Sequence, residues 1–140
     1  MQITRQADYA LRAMVYLAQL EPTQRAATSQ IAEDQRIPPS FLAKIISQLS
    51  IAGLIHTSRG ARGGVTLARE PKAISLLEVV EAIDGPIMLN ECTEDTTNCP
   101  FGENCEIRSL WCDAQDELVN RLRSTTFAQF VKTSTLPVAA

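Results

Sequence analysis

Residues 28–68, TSQIAEDQRIPPSFLAKIISQLSIAGLIHTSRGARGGVTLA, settle the architecture. Thr28 is placed to cap a short helix over Ser29–Gln35, with Ile31 and Ala32 turned inward. Ile37-Pro38-Pro39 forces a turn. Proline also suits the first turn of the next helix, where an N–H would have no partner anyway. That helix runs from Ser40 to about Ala52. Phe41, Leu42, Ile45, Ile46 and Leu49 recur at core-facing spacing, leaving Ser40, Lys44, Ser47 and Gln48 outside. Gly53 stops it. Leu54–Ser58 and Val65–Ala68 are two strand-like runs. Between them lies Arg59-Gly60-Ala61-Arg62-Gly63-Gly64, a basic hairpin rich in glycine.

Upstream, Thr4 precedes Ala7, Ala10, Leu11, Met14, Val15 and Ala18 at helical spacing, so residues 5–20 read as an amphipathic helix. Helix, short helix, turn, helix and hairpin form the order of a winged helix-turn-helix. The expected fold is therefore mainly α with a small β-wing. Downstream, Ser75 caps a helix running to Asp84, with Leu76, Leu77, Val79, Val80 and Ile83 apolar and Gly85-Pro86 as its stop. Residues 86–105 read as loop. Glu106–Arg123 follows as a long helix with Ile107, Trp111, Ala114, Leu118 and Leu122 on one stripe. A short helix near Phe127–Val131 precedes an end that reads as frayed.

The chain has 140 residues, 45% of them hydrophobic and 21% charged, which suffices for one domain with its own core plus an appendage. The net charge of −3 hides a division. Residues 1–72 carry nine Lys/Arg against five Asp/Glu, a net of +4, and residues 73–140 carry four against eleven, a net of −7. The basic half implies an anionic partner. No run of 18 apolar residues occurs, so no membrane span is expected. The N-terminus lacks a secretion pattern, so a cytoplasmic location is expected. No nucleophile–histidine pair and no dinucleotide fingerprint occurs, so an enzyme is not expected.

In a helix-turn-helix the second helix enters the major groove of double-stranded DNA. Ser40 and Lys44 lie on its exposed face, although alone they would read first as an ordinary solvated surface. Serine bonds several bases, and lysine prefers guanine or phosphate. Thr28 and Ser29, opening the preceding helix, suit a phosphate contact. Arg59 and Arg62 flank glycines on the wing, where guanidinium groups suit phosphates or a narrow minor groove. His56, the single histidine, has no second histidine to join and reads as structural.

All four cysteines lie in the acidic half: Cys92, Cys99, Cys105 and Cys112. This is not the paired spacing of zinc ribbons. Wide spacing on a loop admits an iron–sulfur cluster, zinc or redox-active thiols. Cys112 falls inside the long helix, seven residues after Cys105.

The chain resembles the IscR/NsrR family of bacterial winged-helix regulators over nearly its whole length. The likeness rests on MQITRQADYALRA at the start, PSFLAKIISQLSIAGL over 39–54, SRGARGGV over 58–65, ISLLEVVEAIDG over 74–85, and a three-cysteine loop ahead of a long helix. The resemblance implies a homodimer in which helices 106–123 pack across a two-fold axis. It implies Cys92, Cys99 and Cys105 as cluster ligands. The IscR type has a histidine three residues past the last loop cysteine, where this chain has Arg108. The NsrR type uses an aspartate at the start of the first helix, donated by the other protomer, and Asp8 stands at that position. The expected group is thus a 4Fe–4S cluster on three thiolates and Asp8, with 2Fe–2S as the alternative cluster and Cys112 as the rival fourth ligand. The expected function is a DNA-binding transcriptional regulator, a repressor, responding to nitric oxide, oxygen or redox state, or iron and cluster supply. Residues 1–72 would bind DNA, and residues 73–140 would hold the cluster and dimerise. The alternatives are a metal-free thiol-switch repressor and an IscR-like, iron-responsive regulator with a different cluster ligation.

Overall fold

The computed structural model describes residues 2–97 and 99–131, without the side chain of Glu103. Residues 132–140, expected to fray, lie outside the described residues. The helices are α1 (Arg5–Ala18), α2 (Thr28–Gln35), α3 (Pro39–Ile51), α4 (Leu76–Asp84) and α5 (Glu106–Ser124). Strands β1 (Ile55–Ser58) and β2 (Gly64–Leu67) pair antiparallel, with Ile55 opposite Leu67 and Ser58 opposite Gly64. Single 3-10 turns occupy Pro71–Ala73, Glu91–Thr93, Gly102–Asn104 and Phe127–Phe130. The molecule is mainly helical with a two-stranded wing, as the sequence implies.

Helix α1 begins where the Thr4 hydroxyl accepts from the Ala7 N–H at 3.1 Å. It ends at Ala18, two residues short of the expected limit. Ala7, Ala10, Ala13, Met14, Leu17 and Ala18 face inward, and the small alanines let α3 and α4 approach closely. Thr28 does not cap α2. Ala27 holds that position without a side-chain bond, and Thr28 is the first helical residue. The cause is long-range: Ala26 and Val65 exchange both backbone hydrogen bonds, at 3.2 and 2.8 Å, which holds the chain extended up to Ala27. Arg36 then closes α2 in the left-handed conformation at φ 54°. That conformation costs a residue with a Cβ about 1 kcal/mol. The turn it makes sends Ile37 into the core just before the two prolines.

On α3, Leu42, Ile45, Ile46 and Leu49 are buried as the periodicity requires. Phe41 is not. It is 44% exposed and rests against the ring of Tyr9 from α1, with centroids 6.3 Å apart. The helix presents its core stripe to α1 and α4, and Phe41 falls on the border of that stripe.

The second half packs back onto the first. Ser75 and Glu78 form a reciprocal capping box at the start of α4. Ile74 and Phe127 are fully buried in the same core as α1 and α3, joined by a bond from the Phe127 N–H to the Ile74 carbonyl at 3.1 Å. Burial of a phenylalanine side chain of this kind contributes about 2 kcal/mol. Helix α5 contains no buried residue. The stripe expected on it is divided. Leu118 and Leu122, with Val119, pack on Leu77, Val80 and Ile87, whereas Ile107 and Leu110 are each 61% exposed and Trp111 38%.

Candidate functional site

The basic face is built by α2, α3 and the wing. Ser40, Ala43, Lys44 and Ser47 are exposed along α3, because the core positions between them point the other way. Thr28 of α2, Ser47 and Ser50 of α3, and Thr57, Ser58 and Arg59 of the wing line one open groove. The structure thus brings Thr28 and Arg59 to a common surface. Ser29 is exposed beside Thr28, and Arg62 is exposed across the hairpin from Arg59.

The hairpin is closed by a bond from the Gly63 N–H to the Gly60 carbonyl at 2.9 Å. A Cβ on Gly63 would collide with the Ser58 carbonyl oxygen, so the turn requires glycine there. Arg25 is a residue of this face that sequence reasoning missed. From the segment ahead of α2, its Nη1 donates to the Ser58 hydroxyl at 2.9 Å and to the Arg62 carbonyl at 3.3 Å. It ties the turn end of the wing, where Ser58 pairs with Gly64, to the segment ahead of α2. No local signal in the sequence carries this contact. His56 is exposed on β1, and no role is seen for it.

The cysteine loop joins α4 to α5. All four cysteines are free, half-buried thiols. Cys92 lies in the Glu91–Thr93 turn, Cys99 in the loop, and Cys105 at the N-cap of α5. Arg108, in the first turn of α5, donates from Nε to the Cys92 carbonyl at 2.7 Å. Cys92 is thereby tied, through its carbonyl, to the first turn of the helix at whose N-cap Cys105 stands. The Cys105 side chain makes no capping bond there, and a helix N-terminus favours an anionic group. Among the described residues no three His, Cys, Asp or Glu side chains of the single chain converge on a metal position. Cys112 is half-buried, one turn beyond Arg108 on α5.

Asp8 is exposed in the first turn of α1 and pairs with Arg12 at 3.0 Å. One residue on, Tyr9 carries the contact to Phe41, the neighbour of Ser40. Just ahead of α1, Thr4 donates from both its N–H, at 3.2 Å, and its hydroxyl to the Asp84 carboxylate. The start of α1 is thus tied to the end of α4, from which the cysteine loop departs.

Two helices joined by a tight turn, followed by a basic wing whose turn requires glycine and is held by Arg25, define a winged-helix protein of the DNA-binding kind. A family model described as "Rrf2: Iron-dependent Transcriptional regulator" matches residues 3–133. The chain belongs to the Rrf2 family of transcriptional regulators. It is 33% identical over 133 residues to the HTH-type transcriptional regulator NsrR of Shouchella clausii (strain KSM-K16), covering 94% of this chain and 89% of that one. It is 30% identical over 131 residues to the HTH-type transcriptional regulator IscR of Enterobacter sp. (strain 638), covering 94% and 80%. Among solved structures it is similar to CymR, the global cysteine regulator of B. subtilis, with a TM-score of 0.78 and 28% identity over 91% of this chain and 94% of that one. T. potens IscR superposes with a TM-score of 0.73 and 26% identity, over 91% and 84%. The family consists of DNA-binding regulators rather than enzymes. Among the described residues no helix is long and apolar enough to cross a membrane.

Proposed function

We propose that the chain is a homodimeric repressor whose grip on operator DNA is set by an iron–sulfur cluster. The observation that supports this reading is the Arg108–Cys92 bond, which ties the cysteine loop to the first turn of α5, the helix at whose N-cap Cys105 stands. Thiolates are the donors that iron–sulfur clusters require, and residues 92–105 supply three free ones. Cys92, Cys99 and Cys105 would hold the group together with the partner's Asp8, in a 4Fe–4S cluster. A bound cluster with one carboxylate ligand supplies an iron position open to exchange with nitric oxide, oxygen or chelators.

The chain's own residues do the rest. Residues 1–72 hold DNA: α3 offers Ser40 and Lys44 to base edges, Thr28 and Ser29 take a phosphate at the head of α2, and Arg59 and Arg62 reach the minor groove or its phosphates. Residues 73–140 sense and dimerise. Asp8 is available as a trans ligand because its exposed pair with Arg12 contributes at most about 1 kcal/mol. Engaging Asp8 moves α1, and Tyr9 passes the shift to Phe41 at the start of the reading helix. Half-sites lie a fixed distance apart, so a small rotation of the two reading heads changes affinity.

Anaerobic purification tests this. The expected product is brown and carries about four irons per chain. Asp8→Ala lowers iron retention, whereas Cys112→Ala does not; the reverse pattern reassigns the fourth ligand to Cys112. A colourless, iron-free protein overturns the cluster. It would leave the second reading, a metal-free thiol switch, which is supported by the likeness to a cysteine regulator and by the dispersed thiols of the single chain. In that case DNA affinity would respond to peroxide in the absence of iron.

A further inference from the structure

Arg108 holds more than a place where a histidine ligand is absent. Its Nε–Cys92 carbonyl bond, at 2.7 Å, joins positions 16 apart and is partly buried. Two turns further along α5, the Gln115 Oε1 accepts from the Leu89 N–H at 2.9 Å. Positions 108 and 115 share one face of the helix. The segment Leu89–Cys92 is therefore strapped along that face at two points, leading toward the head of α5. Cys112 lies on the same face between the two straps. Among the described residues, no carboxylate pairs with Arg108, although its half of the chain carries a net charge of −7. A half-buried guanidinium without an acid partner, bonded to a cysteine carbonyl, suits an anionic group held on thiolates.

We propose that Arg108 is a positioning residue for the cluster. It fixes Cys92 against the first turn of α5, and its charge offsets that of the thiolate ligands. This inference rests on the cluster reading above, and its test separates the two.

The variants are Arg108→Ala, Arg108→Lys and, as a control on the same helix, Arg123→Ala, whose side chain bonds Asn120 of its own helix. In the anaerobically reconstituted protein, iron loss to a chelator and the midpoint potential are measured. Arg108→Ala is expected to lose iron about ten-fold faster and to have a lower potential. Arg108→Lys keeps the wild-type potential but loses iron faster, because it retains charge and loses the planar fork. Arg123→Ala matches wild type. In the metal-free reduced protein, alkylation of each cysteine is read by peptide mass spectrometry. Arg108→Ala is expected to raise modification of Cys112 several-fold, since one strap is released. Arg108→Ala indistinguishable from wild type in either arm overturns the proposal. Wild-type protein that takes up no iron sinks the cluster reading on its own. The alkylation arm then decides whether Arg108 holds the loop.

Discussion

Glu78 shows how much one side chain can settle. Its carboxylate accepts from the Ser75 N–H at 3.0 Å and from Arg69 at 2.8 Å, so it closes the α4 cap and ties the segment after β2 to that helix. Burial pushes its carboxyl up, but the bonds from Arg69 and Ser75 outweigh burial, and it titrates below its ordinary value of 4.5. A depressed folded-state value gives stability above pH 4.5 that is lost as pH falls through the lower folded value. Glu78→Gln should thus be less stable than wild type by up to about 1 kcal/mol at neutral pH. Urea midpoints at neutral pH and at pH values below 4.5 check this: the gap narrows as pH falls. A gap of the same size under both conditions argues against it. Ser75 is legible as a cap because its hydroxyl acts three residues away. Thr28 invites the same reading and fails it, because the deciding contact, Ala26 to Val65, lies 39 positions off. A comparable separation hides Arg25, which reads as one more basic residue until the wing folds onto it.

Among the elements, the helices are legible wherever one face is buried. The spacing of Leu42, Ile45, Ile46 and Leu49 fixes the face of α3, and so fixes Ser40 and Lys44 on the other. The limit shows on α5, where one apolar stripe serves two surfaces. Spacing alone does not say that Leu118 and Leu122 meet α4 while Ile107 and Trp111 stay bare. The wing carries two predictions. Arg59→Ala with Arg62→Ala should weaken DNA binding and flatten the slope of log affinity against log salt by about one unit for each phosphate no longer neutralised. A titration across salt concentrations checks it, and an unchanged slope removes the wing from the interface. Gly63→Ala should weaken binding with little change in helical content, because the added Cβ meets only the Ser58–Arg59 backbone within the hairpin. Circular dichroism beside the same titration separates this outcome from global unfolding.

Across the whole molecule, the division of charge between residues 1–72 and 73–140 does not correspond to two cores. Phe127 and Ile74 are buried with Met14 and Leu42, so the C-terminal half is packed on the reading half. The cysteine positions are legible in the sequence, but their spacing does not say which of them come together, and among the described residues of the single chain no three such ligand side chains converge. The bare end of α5 belongs at this scale too. Leu110→Asp should convert a dimer to a monomer in sedimentation velocity and lower DNA affinity, since each half-site would be bound alone. A dimer that survives would place the two-fold contact elsewhere. If cluster occupancy sets the grip on DNA, operator affinity must differ for one anaerobic preparation before and after the cluster is stripped by chelator or nitric oxide. The expected change is about five-fold or more, abolished in Asp8→Ala. Equal affinities for the loaded and stripped protein would refute the coupling of cluster to DNA.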